Sequence, residues 1–139
     1  MSDNSSVRIL DREAALEKLG SVQLGRLVVH RNDQFDIYPV NFVLDGEEIY
    51  FRSAEGNKLF TVALNHEVLF EADQVSDGTA WSVIVRGDAT ILTSTKEIDR
   101  ADSLSLKPWI PTLKYNFVRI KPREISGRFF ELGEEPERY

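Results

Sequence analysis

The sequence predicts a mainly β fold (α+β if the helices are counted), in which antiparallel strands close into a barrel with two to three peripheral helices. Three observations support this. Short apolar segments recur along the chain, tight turn signals such as Asp45-Gly46 join them, and few segments carry helix capping signals. At 139 residues the chain fits one domain, 1–139, for which we expect flexible tails at 1–6 and 131–139.

The first half of the chain combines one helix with three strands. Asp11 is a suitable N-cap and Gly20 a suitable stop for a helix over 12–19. Alternating apolar residues and turn signals then predict strands over 23–30, 35–44 and 48–53.

The second half begins with a short helix predicted over 56–64, or 57–65 at most. Strands are expected over 66–73 and 80–93 on either side of a polar loop over 74–79, and Gly87 predicts a bulge or sharp bend in the second of them. The remaining elements are a helix from Thr95 to about Ser105, a strand over 115–122, a possible strand over 125–130 and an acidic tail from Glu131.

Composition excludes several classes of function. A net charge of −6 and a pI near 5.0 argue against binding to nucleic acid or to an anionic membrane surface. The absence of cysteine removes disulfides, thiolate catalysis, cysteine-bound zinc and iron–sulfur chemistry. No apolar run approaches the roughly 18 residues of a membrane span, and 1–7 lacks the apolar core of a signal peptide, so we expect a cytoplasmic protein.

The break after the third strand carries a cluster of donors. Arg52 and Ser53 end the strand, and Asn57 and Lys58 begin the predicted helix. Cations and hydroxyl groups at a helix N-terminus are suited to binding a phosphate. The alternative is that Arg52 and Lys58 are solvated surface charges beside a turn, the commoner situation for a single Arg or Lys.

A proline lies inside the second predicted strand, in the sequence Pro39-Val40-Asn41. It indicates an edge or a bulge, either of which leaves backbone groups available to a ligand. Asn41 lies between apolar residues, where its amide needs partners, and these could come from the protein or from a ligand.

Two tryptophans could contact a planar ligand. Trp81-Ser82 begins the long fifth strand, although most strand tryptophans belong to the core. Trp109 lies between two prolines, which suits a lid, a subunit contact or a core position.

No catalytic constellation is evident in the sequence. His30 and His66 have no further ligand at metal spacing, so no metal site is expected, and Glu71 and Asp73 have no nucleophile near them. No Ser/His/Asp order, P-loop or dinucleotide fingerprint is present. We therefore expect the function to depend on a bound phosphorylated cofactor.

Five segments in order resemble the pyridoxamine 5'-phosphate oxidase-like family, and in particular its short branch of nitroimidazole-resistance type flavoproteins. The resemblance covers about residues 10–130. Its segments are Leu24-Gly25-Arg26-Leu27-Val28, Pro39-Val40-Asn41-Phe42, Phe51-Arg52-Ser53-Ala54-Glu55-Gly56-Asn57-Lys58-Leu59, Phe70-Glu71-Ala72-Asp73 and Trp81-Ser82-Val83-Ile84-Val85-Arg86-Gly87-Asp88-Ala89.

The resemblance implies an FMN-binding split β-barrel that forms a homodimer, with the flavin in a groove between the subunits. It implies hydride or electron transfer by the flavin to an unidentified small molecule. By position, the resemblance assigns Pro39, Val40 and Asn41 to the isoalloxazine ring, and Arg52 and Ser53 to the ribityl chain and phosphate. It assigns Asn57 and Lys58 to the phosphate, and Trp81 and Ser82 to the strand opposite the ring. It assigns Trp109 and Arg128 to the partner's site.

Two departures from the family pattern limit what is carried over. Many relatives of the resistance type have a histidine where this chain has Arg52, so chemistry attributed to that histidine does not transfer. The chain also lacks an evident C-terminal segment that grips pyridoxal, so we do not expect vitamin B6 oxidation. The alternatives on the same fold are an F420-dependent reductase, with Arg26 and Arg52 as extra cations, a haem-binding protein, or a flavin-binding protein without turnover.

Overall fold

The computed structural model describes residues 6–31, 33–54, 66–104 and 115–133. Within these ranges, seven strands form one sheet accompanied by two helices. The elements are β1 (Val7–Leu10), α1 (Arg12–Leu19), β2 (Leu24–Arg31), β3 (Gln34–Asp45), β4 (Glu48–Ala54), β5 (Glu67–Ser76), β6 (Thr79–Ile91), α2 (Thr95–Asp102) and β7 (Tyr115–Glu131). In the described part of the chain, no helix is both long and apolar enough to cross a membrane.

The sheet closes on itself through β7. Neighbouring strands follow the order β1-β7-β4-β3-β2-β5-β6, and a further pairing between β7 and β6 completes the ring. β7 pairs with β4 over 115–120 and with β1 over 127–130, while its other pairing, with β6, covers 118–131. Because every pairing is antiparallel, the structure confirms the predicted split β-barrel.

Alternating side chains fill the interior of this barrel. Phe51, Phe70 and Ile120 are completely buried there, and Phe42 contacts Phe70 edge to face with 4.9 Å between ring centroids. α1 packs on the barrel through Ala15 and Leu19, which are also buried. The helix begins as predicted, because Asp11 Oδ1 accepts a hydrogen bond from the Ala14 amide at 2.8 Å.

Two predicted strands, 115–122 and 125–130, are in fact one. β7 continues through Pro122, which lies opposite Gly87 where the β6–β7 register shifts. Prolines inside sheets occur at such bulges because the missing N–H has no ladder partner to satisfy there. The bulge predicted at Gly87 is thereby confirmed.

Other boundaries also differ from the prediction. The loop predicted over 74–79 is a tight hairpin, since β5 continues to Ser76 and Gly78 turns the chain with φ +73°. β1 was not predicted, because it has no buried residue to reveal it. α2 ends at Asp102 rather than near Ser105, and the helix predicted over 56–64 lies outside the described residues.

Candidate functional site

The barrel wall parts between β3 and β4. β3 pairs with β2 over 34–41, and among the described residues it pairs with β4 only over 42–45. The last shared pair is Phe42↔Phe51, after which β4 continues along β7 instead. We call the region between 39–41 of β3 and 52–54 of β4 the β3/β4 split. It fits the edge character that Pro39 predicts for β3.

Side-chain alternation sorts the residues at the β3/β4 split onto two faces. Phe42 and Phe51 point into the core, so their chain neighbours Asn41 and Arg52 point outward. Pro39 shares the outer face, whereas Val40 packs against the core and Ser53 is buried. A ligand on the outer surface would therefore meet Pro39, Asn41 and Arg52, and only one that enters the split would reach Ser53.

Arg52 is a largely buried cation with an aromatic neighbour. Its side chain is 19% exposed, and its guanidinium carbon lies 5.4 Å from the centroid of the Phe117 ring. Arg52 Nη2 lies 3.7 Å from Oδ1 of Asp102 at the end of α2. A cation held in this way between strand and helix has the character of an anion site.

Three predicted site residues, Trp81, Ser82 and Arg128, lie in the described parts of β6 and β7, and they are also divided between the two faces of the sheet. Trp81 is buried and packs with Val83 in the core, so its indole faces the barrel interior. Ser82 lies on the outer face between Asp73 of β5 and Arg128 of β7, its register partners. Contact between any of these residues and a cofactor stays a prediction.

The remaining predicted site residues are Asn57, Lys58 and Trp109, which lie outside the described residues. Their assignment to a phosphate and to the partner's site depends on the sequence resemblance alone.

Sequence reasoning missed an ion cluster beside Pro39. Arg26, the register partner of Pro39, contacts Glu71 Oε1 through Nε at 2.6 Å and Asp73 Oδ2 through Nη2 at 2.8 Å. The signal was present as two acids alternating along β5, but the pairing of β2 with β5 was needed to place Arg26 between them. The cluster occupies the outer face next to the predicted ring site.

The two carboxyl groups of this cluster titrate in opposite directions. Burial, together with a hydrogen bond to Asp73, raises the pKa of Glu71. The hydrogen bond from Glu71 lowers the pKa of Asp73, and Arg26 lowers it further. Glu71 is therefore the group that holds the proton longer as pH rises.

A pH prediction follows for Glu71. Because its folded pKa is raised, its stabilising contribution is present below the unfolded value, 4.5, and is lost as pH rises through the folded value. We expect the melting temperature of the wild type to fall relative to that of Glu71→Gln as pH rises through this window. Thermal unfolding of both proteins from pH 4 to 8 at fixed ionic strength checks this, and parallel curves would contradict it.

Comparisons with known proteins identify the family of the chain. The family model described as pyridoxamine 5'-phosphate oxidase matches residues 11–129. The chain belongs to this family. The match spans β3, β4 and β6, the strands that carry the outer-face residues of the β3/β4 split and the predicted strand opposite the ring.

Three solved structures are similar to this chain. A protein from Corynebacterium glutamicum, provisionally named a pyridoxamine 5'-phosphate oxidase, is 61% identical, with a TM-score of 0.90, and the match covers 96% of this chain and 100% of that one. An FAD-binding protein from Mycobacterium smegmatis is 40% identical, with a TM-score of 0.82 and coverages of 91% and 100%. A provisionally named 5-nitroimidazole antibiotic resistance protein from Bacteroides thetaiotaomicron, 13% identical with a TM-score of 0.71 and 94% coverage of each chain, shares the fold.

Proposed function

We propose that the protein binds a flavin at the β3/β4 split and acts as an oxidoreductase through it. The observation that carries the proposal is the largely buried cation Arg52 on the same outer face as Asn41 and Pro39, where the two strands cease to pair. The similarity to an FAD-binding protein at 40% identity supports the same class of cofactor.

The residues at the β3/β4 split fit a flavin phosphate and ring. A flavin monophosphate carries about two negative charges, which Arg52 and, by resemblance, Lys58 would balance. Pro39 and Asn41 would line the ring with one apolar and one hydrogen-bonding side chain. When bound, the flavin supplies hydride or electron transfer. The protein then needs to bind and orient the cofactor, and no side chain has to serve as an acid or base.

A homodimer is the second part of the proposal. The outer surface of β2, β3, β5 and β6 carries an apolar face, on which Phe35 is 70% and Ile37 64% exposed. Val28 and Leu69 occupy the same row as Ile37, and Ile84 lies nearby. We call these five residues the outer apolar face. Exposed clusters of this kind are typical of protein interfaces, and a second copy would cover this one.

The charge around Arg26 bears on which flavin binds. F420 has a longer acidic tail than FMN and needs additional cations, for which Arg26 was a candidate. Arg26 is already neutralised by Glu71 and Asp73, which favours FMN or FAD. FMN is the cofactor implied by the sequence resemblance, and FAD is the one named for the similar mycobacterial protein.

The experiment that tests the proposal is a titration of the ligand-stripped protein with FMN, FAD and F420, followed by absorbance and fluorescence. Saturable binding of FMN or FAD is expected. Tight binding of F420 alone would indicate deazaflavin chemistry instead. Binding of none of the three cofactors would refute the proposal. Reduction of the bound flavin by NADH, NADPH or reduced F420 then separates an oxidoreductase from a flavin-binding protein without turnover.

Removal of the anion-binding cations is the matching mutational prediction. We expect Arg52→Ala and Lys58→Ala each to weaken FMN binding about 10- to 100-fold, since each removes a charge-assisted contact with phosphate. Riboflavin, which has no phosphate, is expected to bind both variants almost as it binds the wild type.

Arg123→Ala is the matched control for these variants. It removes the same charge from an exposed arginine of β7, whose partners Glu67 and Asp88 are not residues of the β3/β4 split. If it weakens FMN binding as much as Arg52→Ala does, the effect is one of net charge, and the assignment of Arg52 is wrong.

A further inference from the structure

α2 lies across the outer surface of β4 and β7. Its own residue Ala101 is buried, in a cluster with Tyr50 of β4 and Phe117 of β7. The helix is also held by ion pairs at both ends: Glu97 binds Arg119 of β7, and Asp102 lies beside Arg52 of β4. Two ion pairs therefore connect α2 to the largely buried side chains of Arg119 and Arg52.

The two ion pairs that hold α2 differ in strength. Glu97 accepts a hydrogen bond from Arg119, and it raises the pKa of Arg119 despite the burial of that side chain. The pair between Asp102 and Arg52 spans 3.7 Å, beyond hydrogen-bond distance, and Asp102 is 54% exposed. An ion pair of this length with an exposed carboxylate is weak, so Arg52 can exchange Asp102 for a stronger partner.

We propose that the Asp102 carboxylate lies beside Arg52 where the cofactor's phosphate would bind. Flavin binding then replaces a carboxylate of α2 with a phosphate as the partner of Arg52. The inference rests on the proposed function, because it requires a phosphate-bearing flavin at Arg52. The phosphate has the greater charge and more acceptor oxygens, which favours the exchange. Without cofactor, the Asp102 carboxylate contributes to compensating the largely buried charge of Arg52.

This exchange makes Asp102 a determinant of cofactor affinity. While Asp102 competes for Arg52, phosphate-bearing flavins bind less tightly than the site alone would allow. The competition concerns the phosphate only, so riboflavin is indifferent to it. Binding of FMN also removes one of the contacts that hold the last turn of α2 on β4, which links occupancy of the site to the helix.

The test compares Asp102→Asn with Asp99→Asn. Both substitutions remove one negative charge from the same helix, and Asp99 is an exposed residue that is no part of the site. Asp102→Asn is expected to bind FMN about two- to five-fold more tightly than Asp99→Asn does, as expected when a weak competing ion pair is removed, and riboflavin equally. Equal FMN affinities would overturn the inference.

A double-mutant cycle locates the effect at Arg52. In an Arg52→Gln background, Asp102→Asn should no longer tighten FMN binding relative to Asp99→Asn. A gain that persists there would mean that Asp102 acts by another route, and would also overturn the inference. If the wild type binds no flavin, the proposed function fails instead, so the two failures are distinguishable.

A measurement on the wild type covers the case in which the Asp102 variant does not fold. Amide hydrogen exchange over 99–103 reports the last turn of α2, whose Ser103 amide donates to the carbonyls of Asp99 and Arg100. Saturation with FMN is expected to speed this exchange relative to saturation with riboflavin. Equal exchange in the two complexes would contradict the loss of this contact between α2 and β4.

Discussion

Gly87→Ala is expected to lower the free energy of unfolding by about 3 kcal/mol and the melting temperature by about 10 °C. A Cβ at this position would lie 2.4 Å from the Lys121 carbonyl oxygen and 3.1 Å from the Pro122 Cα. Both neighbours are backbone atoms, so no side-chain rotation can relieve the clash. β6 and β7 would have to separate along the pairing that closes the barrel.

Gly133→Ala is the control, since a Cβ there would meet nothing within 4 Å. We expect its melting temperature to stay within about 2 °C of the wild type. Thermal and urea unfolding of the three proteins, with circular dichroism to confirm the fold, makes the comparison. If Gly87→Ala has the same melting temperature as Gly133→Ala, the two strands do not approach each other closely at the bulge.

The elements that the sequence predicted well are those with local signals. Asp11 and Gly20 bound α1, Asp45-Gly46 turns β3 into β4, and Gly87 marks the bulge, all of which follow from the chemistry of a few adjacent residues. β7 was divided in the prediction because Pro122 normally interrupts a strand. Only its position opposite Gly87, 35 residues away, explains why the strand continues.

The candidate site could be predicted only in part, for the same reason. Types of residue and their order indicated Pro39, Asn41 and Arg52, but a strand pattern does not state which of two alternating faces meets the ligand. The register Phe42↔Phe51, with both rings in the core, shows which residues lie on the outer face. The partners of the charges were also hidden, because Arg26 and Glu71 are 45 residues apart and meet only when β2 pairs with β5.

Ile37→Glu is expected to dissociate the proposed homodimer. Ile37 is 64% exposed in the single chain and belongs to the outer apolar face, two residues from Phe35 and opposite Val28. A symmetric interface would bury the new carboxylate twice, and the desolvation of both charges opposes association. We expect the dimer dissociation constant to rise at least about 100-fold, which analytical ultracentrifugation over a concentration series measures.

Val75→Glu is the matched control, because Val75 is an apolar residue of β5 that is 74% exposed and lies outside the outer apolar face. It should leave the dimer intact, and both variants should keep the fold, since neither residue is part of the core. If the partner subunit completes the flavin site, as proposed for Arg128, FMN affinity will fall with dissociation in Ile37→Glu alone. A dimer that survives Ile37→Glu would mean that the two copies meet on another surface, and retained FMN binding by a monomer would show that one chain suffices to hold the cofactor.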